Sequence, residues 1–265
     1  MGIQGLQSYL EDNCRSACQP FDFGDLSQGK ARAPYPFLVV VDGLSCLKHL
    51  YGSNLDWING GQWNEMLRNV DIFVRSFRQC NVELVVYFNG EVDSVKIHEW
   101  SKEQQEKRQL VHQNLSHVLN QSYPPPKRLY FPPPCVTTCL RYAFRSFDVV
   151  VCSSIEDVRK EIVKYCQQNL CYGVIGHHAD FLLLNAAKYF SSEHLKISKK
   201  SVSTTIFDRE EFLKTMNLHH TRVAMFSSLL GNSFIPEEYL AGFHWVLLGP
   251  DHPLAKLQVC SALFR

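Results

Sequence analysis

Acidic residues, or close substitutes for them, follow apolar runs at several points in this chain. Asp42 closes the run Phe37-Leu38-Val39-Val40-Val41, and Asn89-Gly90 follow Leu84-Val85-Val86-Tyr87-Phe88. Farther on come Ser154-Ile155-Glu156-Asp157, then Gly176-His177-His178-Ala179-Asp180, then Leu229-Leu230-Gly231-Asn232-Ser233. Carboxylates converging from several elements can hold two divalent ions roughly 3.5–4 Å apart, which activate water and stabilise the leaving oxygen of a phosphodiester. Mg²⁺ wants hard oxygen donors. A neutral oxygen such as the amide of Asn89 is a weak ligand for it, and the imidazole of His178 suits Zn²⁺ or Mn²⁺ better.

To act together these residues must meet at one edge of a sheet. Residues 37–42 and 82–88 read as buried strands, since each is a continuous apolar run rich in β-branched side chains. Residues 64–79 predict an amphipathic helix, with Met66, Leu67, Val70, Phe73, Val74 and Phe77 at helical spacing. A polar helix is expected over 94–121, stopped by Pro124-Pro125-Pro126. A short extended piece is expected at 128–131, halted by Pro132-Pro133-Pro134. After that the pattern predicts helix 136–146, strand 147–152, helix 155–168, strand 172–176 and a short helix over 179–188. Two short strands follow within 194–207, then helices 208–217 (with Asp208 as N-cap) and 221–230, and short helices after Pro236. Strands alternating with helices predict a mainly parallel sheet covered on both faces, with its site at the carboxyl ends of the strands.

The chain has 265 residues, 45% of them hydrophobic and 12% aromatic, enough to bury a substantial core. No apolar run approaches the roughly 18 residues of a membrane span, and no basic segment with an apolar core opens the chain as a secretory signal. Its 10 cysteines are scattered without a C-x-x-C pair, which reads as buried, reduced thiols of an intracellular protein. The net charge of +1 assigns any nucleic-acid contact to a local patch.

Met1-Gly2-Ile3-Gln4-Gly5-Leu6, Asp42, Phe88-Asn89-Gly90, Ser154 to Asp157, His178-Ala179-Asp180 and Leu229-Leu230-Gly231 together resemble the flap endonuclease/XPG superfamily. A closer resemblance is to the constitutive coactivator of PPAR-gamma and PPAR-gamma-like family, with the asteroid proteins as more distant relatives. It rests on Gly60-Gly61-Gln62-Trp63, Phe88-Asn89-Gly90, His98-Glu99-Trp100, Pro124-Pro125-Pro126-Lys127 and Phe243-His244-Trp245. Leu247-Leu248-Gly249-Pro250 and His252-Pro253-Leu254 add to it. The resemblance implies an α/β, three-layer PIN-like fold with a mainly parallel central sheet. It also implies one domain over 1–265, a helical and proline-rich insertion at about 91–135, and a chain that is the N-terminal domain of a longer protein.

Carried over position by position, the superfamily's metal-binding pattern is only partly kept. Asp42, Asp157 and Asp180 retain an acid. Asn89, Ile155, His178 and Ser233 stand where acids belong, and Glu156 is one residue out of register. Three carboxylates under-neutralise two divalent ions. The expectation is therefore no stable two-metal centre, with at most a weak single Mg²⁺ or Mn²⁺ among Asp42, Asp157, Asp180 and His178, and no other cofactor. The glycine-containing hairpin with which those nucleases grip duplex DNA has no counterpart in Asn232 to Glu238, so no specific duplex contact is expected.

The function these residues and the resemblance imply is a catalytically degenerate nuclease domain, a pseudonuclease, serving as an RNA-associated scaffold or coactivator-type regulatory module in cytoplasm and nucleus. Single-stranded RNA and regulatory proteins are its expected partners. One alternative is a weakened, Mn²⁺-dependent nuclease on single strands; another is a pure protein-interaction domain docking through the old cleft or the proline loops. Candidate RNA contacts are Lys96 and Lys102 on the polar helix, beside Lys107 and Arg108, and Lys127-Arg128 between the proline triplets near Tyr123 and Tyr130. Interleaved Glu99, Glu103 and Glu106 make the helix equally readable as a solvated face. Lys196, Lys199 and Lys200 read as a charged turn, and the four tryptophans as core or interface anchors. His177 is expected to point away from the site.

Overall fold

The two apolar runs lie side by side. In the computed structural model, strand β2 (Phe37–Asp42) pairs in parallel with β3 (Val82–Phe88), placing Asp42 opposite Tyr87. The structure describes residue 3 and residues 5–28, 35–52, 54–90, 92, 97–121, 123–185, 187–198, 201–231, 235 and 237–248. β4 (Val150–Ser153) extends the sheet beyond β3, and β5 (Gly173–Gly176) and β6 (Lys188–Ser191) extend it beyond β2, all in parallel. β8 (Val202–Phe207) adds to β6 antiparallel, and β1 (Cys18–Asp22) adds to β8 antiparallel. The order is β1-β8-β6-β5-β2-β3-β4, with the short β7 (Lys196–Ile197) paired to β8.

Alternation along the strands divides the core in two. Val40, Val85 and Val174 face one layer, formed by α1 (Leu6–Asn13), α7 (Val158–Gln168), α8 (Asp180–Leu183), α9 (Arg209–Thr215) and α10 (Val223–Leu229). Val39, Val41, Val86 and Ile175 face the other, formed by α2 (Gly24–Gln28), α3 (Leu47–Leu50), α4 (Trp63–Gln79) and α6 (Val136–Ser146). The fold is the expected three-layer α/β arrangement with a mostly parallel sheet. Its strongest sequence signals, β2 and β3, are its centre, because a strand covered on both faces needs apolar residues at every position.

Several local expectations are corrected. The helix expected at 155–168 starts only at Val158, because the Asp157 carboxylate accepts the amides of Arg159 and Lys160 as an N-cap. The helix expected over 179–188 is the single turn α8, and the chain then enters β6. The extended piece at 128–131 is a 3₁₀ turn over Lys127–Leu129. Leu67, on the predicted apolar face of α4, is exposed, while Met66, Val70, Phe73, Val74 and Phe77 are buried.

A half-buried histidine makes stability depend on pH. His49 on α3 donates from Nε2 to the Ser192 carbonyl at 2.8 Å. Burial pushes its pKa below the ordinary 6.5, outweighing that hydrogen bond, which acts the other way. A depressed folded-state pKa means that the unfolded chain takes up the proton first. Stability is therefore full above about pH 6.5 and is lost as pH falls toward the depressed value, by at most about 1.4 kcal/mol per pH unit for this group. Urea denaturation at pH 7.5 and 5.5 should show the loss, and His49→Gln should reduce it, leaving the share of His178, whose pKa burial also lowers. An unchanged slope in the variant would remove His49 as its source.

Candidate functional site

The carboxyl ends of the parallel strands open into a cleft of about 730 Å³. Asp42 enters from the end of β2, Asn89 and Gly90 from the end of β3, Ser154 and Glu156 to Arg159 from the β4–α7 turn, and His177-His178 from the end of β5. Helix α5 (Ile97–Asn120) supplies an outer wall of Trp100, Glu103, Gln104 and Lys107. Lys48, Tyr130 and Glu193 complete the polar lining. The structure thus gathers Asp42, Asn89, Asp157 and His178, as the sequence predicts, with Asp180 joined to them through Arg159. Ser233 lies outside the described residues.

Arg159 dominates this site, and sequence reasoning missed it. Its Nη1 lies 2.6 Å from Asp180 Oδ2 and its Nη2 3.2 Å from Asp157 Oδ2. Its Nε lies 3.4 Å from Asp157 Oδ1, so the guanidinium forks onto Asp157 while clasping Asp180. All three side chains are nearly buried, between 11% and 16% exposed. The remaining oxygen of Asp180 accepts the Ile3 amide at 3.0 Å. Asp157 Oδ1 also caps α7. Burial opposes the charge of Arg159, but the hydrogen bonds and charges of Asp157 and Asp180 outweigh it and raise its pKa, so the cation is permanent.

All four carboxylate oxygens of these two acids thus accept protein donors, and a fixed positive charge stands between them. A divalent ion shared by Asp157 and Asp180 does not fit this arrangement. Among the described residues no group of three or more His, Cys, Asp or Glu is placed to hold a metal ion. Glu161, another nearby acid, accepts the amides of Ile155 and Glu156 at 2.7 and 2.8 Å and so reinforces the start of α7.

The other half of the site is held by neutral groups. Asp42 is 5% exposed and accepts the Ser45 hydroxyl at 2.6 Å; Ser45 Oγ in turn accepts the His177 amide at 3.1 Å. Burial drives the His178 pKa below its ordinary value, against the pull of Asp42 and Asp180 and with the push of Arg159. Neutral His178 therefore adds no positive charge. His177 does not turn away as expected: it lines the cleft, 3.4 Å from Glu193. The Asn89 carbonyl accepts Arg141 Nη2 at 2.6 Å, and the Gly90 amide donates to Ser154 Oγ at 3.1 Å.

The proposed RNA contacts are spread out. Lys102 is exposed on α5 and does not line the cleft, and Lys96 lies outside the described residues. Lys127 and Arg128 are exposed on the 3₁₀ turn, near the exposed Tyr123, which packs edge-on against His117. Tyr130 instead turns inward: its hydroxyl donates to the Tyr51 carbonyl and its ring meets Trp57 edge-on. Trp100 is 45% exposed at the cleft wall, and Trp245 is 65% exposed on α11 (Glu237–Leu248), so neither is a core anchor.

Comparison with known proteins places this geometry. The FAM120A-like domain family matches residues 216–263. Constitutive coactivator of PPAR-gamma-like protein 1 of Bos taurus is 41% identical over 98% of this chain, which covers 24% of that protein. The human PPAR-gamma-like protein 2 is 38% identical over 83% of the chain, covering 21% of that protein. The human constitutive coactivator of peroxisome proliferator-activated receptor gamma is 27% identical over 94%, covering 27%. The chain thus spans about a quarter of the length of these curated relatives. Among solved structures, the catalytic core of Rad2 in complex with a DNA substrate aligns with a TM-score of 0.58 at 15% identity, over 96% of this chain and 67% of that one. Flap endonuclease-1 from Methanococcus jannaschii aligns with a TM-score of 0.55 at 13% identity, over 100% and 84%. This chain is thus similar, over nearly all of its length, to one part of the constitutive coactivator of PPAR-gamma-like proteins, and it has an XPG/flap endonuclease-type fold.

Proposed function

We propose that this chain is a catalytically silent nuclease fold that serves as an RNA-associated scaffold of the coactivator type. One observation carries the silent part: the Arg159 guanidinium sits between Asp157 and Asp180, where hydrolysis would need an exchangeable divalent ion. A fixed guanidinium can neutralise carboxylates, but it cannot deliver a hydroxide. The coactivator part is supported by the names of the relatives.

The RNA part is supported by the exposed Lys127 and Arg128 and, across the proline triplet in sequence, the exposed Tyr123, which offer phosphate contact and base stacking outside the cleft. A single labelled oligouridylate tests both parts. It is expected to bind with an affinity that falls as salt rises, to weaken about tenfold in Lys127→Ala/Arg128→Ala, and to stay intact in Mg²⁺ and in Mn²⁺. Cleavage that disappears in Asp42→Asn/Asp180→Asn would replace this reading with a metal-dependent nuclease. Equal affinity of the double variant would remove the turn as the RNA surface.

A further inference from the structure

The charge of the cleft differs from what a nucleic-acid channel requires. Its lining carries the carboxylates of Asp42, Glu103, Glu156, Asp157 and Glu193 against the cations of Lys48, Lys107 and Arg159. Two of those cations are already engaged, Lys48 with Glu193 at 3.9 Å and Arg159 with Asp157 and Asp180. Glu103 and Glu156 make no ion pair among the described residues. Asp42, more than nine-tenths buried, has only the Ser45 hydroxyl as a side-chain partner and no paired cation among them. Without divalent ions such a cleft repels phosphate.

The same walls carry apolar and aromatic surface: Leu44, Leu47, Val92, Val158, Tyr130 and the half-exposed Trp100. A concave site with apolar walls and a few convergent charges is the usual form of a binding pocket. Its excess negative charge selects a positively charged occupant, and the Trp100 indole favours a cation or an apolar side chain against its face.

We propose that the cleft docks a basic segment of a partner protein, with Lys or Arg directed to Asp42, Glu103 and Glu156 and a neighbouring apolar side chain laid against Trp100 and Tyr130. This rests on the reading of the site as metal-free. Long-range attraction would speed encounter and fade with salt, while the apolar contacts would persist.

The test uses the whole chain and three fluorescein-labelled probes: a short peptide alternating Arg and Leu, one alternating Glu and Leu, and an oligouridylate of similar length. The Arg-Leu peptide is expected to bind and quench Trp100 emission, an effect lost in Trp100→Phe; the Glu-Leu peptide is expected not to bind. Glu103→Lys/Glu156→Lys should weaken the Arg-Leu peptide about tenfold or more. The equally charged Glu65→Lys/Glu210→Lys, away from the cleft, should weaken it less than about twofold. Glu103→Gln/Glu156→Gln gives the same ordering if the reversal fails to fold. Equal losses in the cleft and remote variants, or no binding, would overturn the proposal, as would displacement of the peptide by oligouridylate in both the native chain and Lys127→Ala/Arg128→Ala. If the oligouridylate stays intact in Mn²⁺ while the peptide fails, only this inference falls; if it is cut, the metal-free reading falls as well.

Discussion

Replacing Arg159 with Ala is expected to lower the free energy of unfolding by about 3–5 kcal/mol, because it strands two nearly buried carboxylates. Asp157 and Asp180 would face each other with their shared counter-charge gone, while the α7 cap on Asp157 and the Ile3 amide on Asp180 stay in place. For a chain of this size the melting temperature should drop by roughly 10 °C. The variant is also expected to gain metal binding: millimolar Mn²⁺ should recover part of the lost melting temperature in Arg159→Ala and leave the native protein unmoved. Calorimetry with and without the metal distinguishes the cases. A variant as stable as the native chain would mean that the ion pair contributes nothing. A native chain stabilised as much as the variant would mean that the guanidinium does not occupy the cation position.

The second large effect is expected at Gly90, where two strand ends almost touch. A Cβ at this position would lie 1.8 Å from the Ser154 carbonyl oxygen. That oxygen belongs to a backbone pinned by the Ser154 amide on the Phe88 carbonyl at 3.0 Å, and Gly90 itself donates to Ser154 Oγ. Neither side can rotate away, so Gly90→Ala must push β3 and β4 apart at their carboxyl ends. The expected cost is about 1–3 kcal/mol, as for overpacking elsewhere. Hydrogen exchange should show the opening directly, with faster exchange at Ser154 and Gly90. Gly242→Ala is the matching control: it sits in α11, no atom of the described residues outside that helix lies within 4 Å of the added methyl, and helix propensity alone should make it neutral or slightly stabilising. Identical denaturation curves for Gly90→Ala and the native chain would show that the strand ends have slack.

How much of this was legible beforehand varied with the physics of each element. β2 and β3 could be read because central parallel strands are apolar at every position. β1 and β6 could not. β1 is an antiparallel edge strand that carries Pro20 and is largely uncovered, so it lacks the apolar run. β6 is four residues long, directly after a region that reads as helix. At the site, Asp42, Asn89, Asp157, His178 and Asp180 were visible because strand ends converge. Arg159 was not, since its meaning depends on Asp180, 21 residues away and on another element. A cation two positions after a retained acid is a signal only once the helix start at Asp157 is known to turn it inward. The acidic balance of the cleft was hidden for a similar reason, because Glu103, Glu156 and Glu193 come from three separate segments.

The proline-flanked connector has a consequence for how anything binds beside it. Tyr130 is tied to the Tyr51 backbone and wedged against Trp57, the Leu129 carbonyl accepts Asn114 Nδ2 at 2.7 Å, and Pro133 lies against Gly60. Proline fixes the backbone between these anchors before any ligand arrives. The segment therefore behaves as a stiff splint joining α5 to the body of the domain. A partner meeting Lys127 and Arg128, or entering past Tyr130, finds its contacts already in place and need not supply the free energy of ordering a loop. Association at this rim should then be fast and should carry a small heat-capacity change, as for a preformed surface.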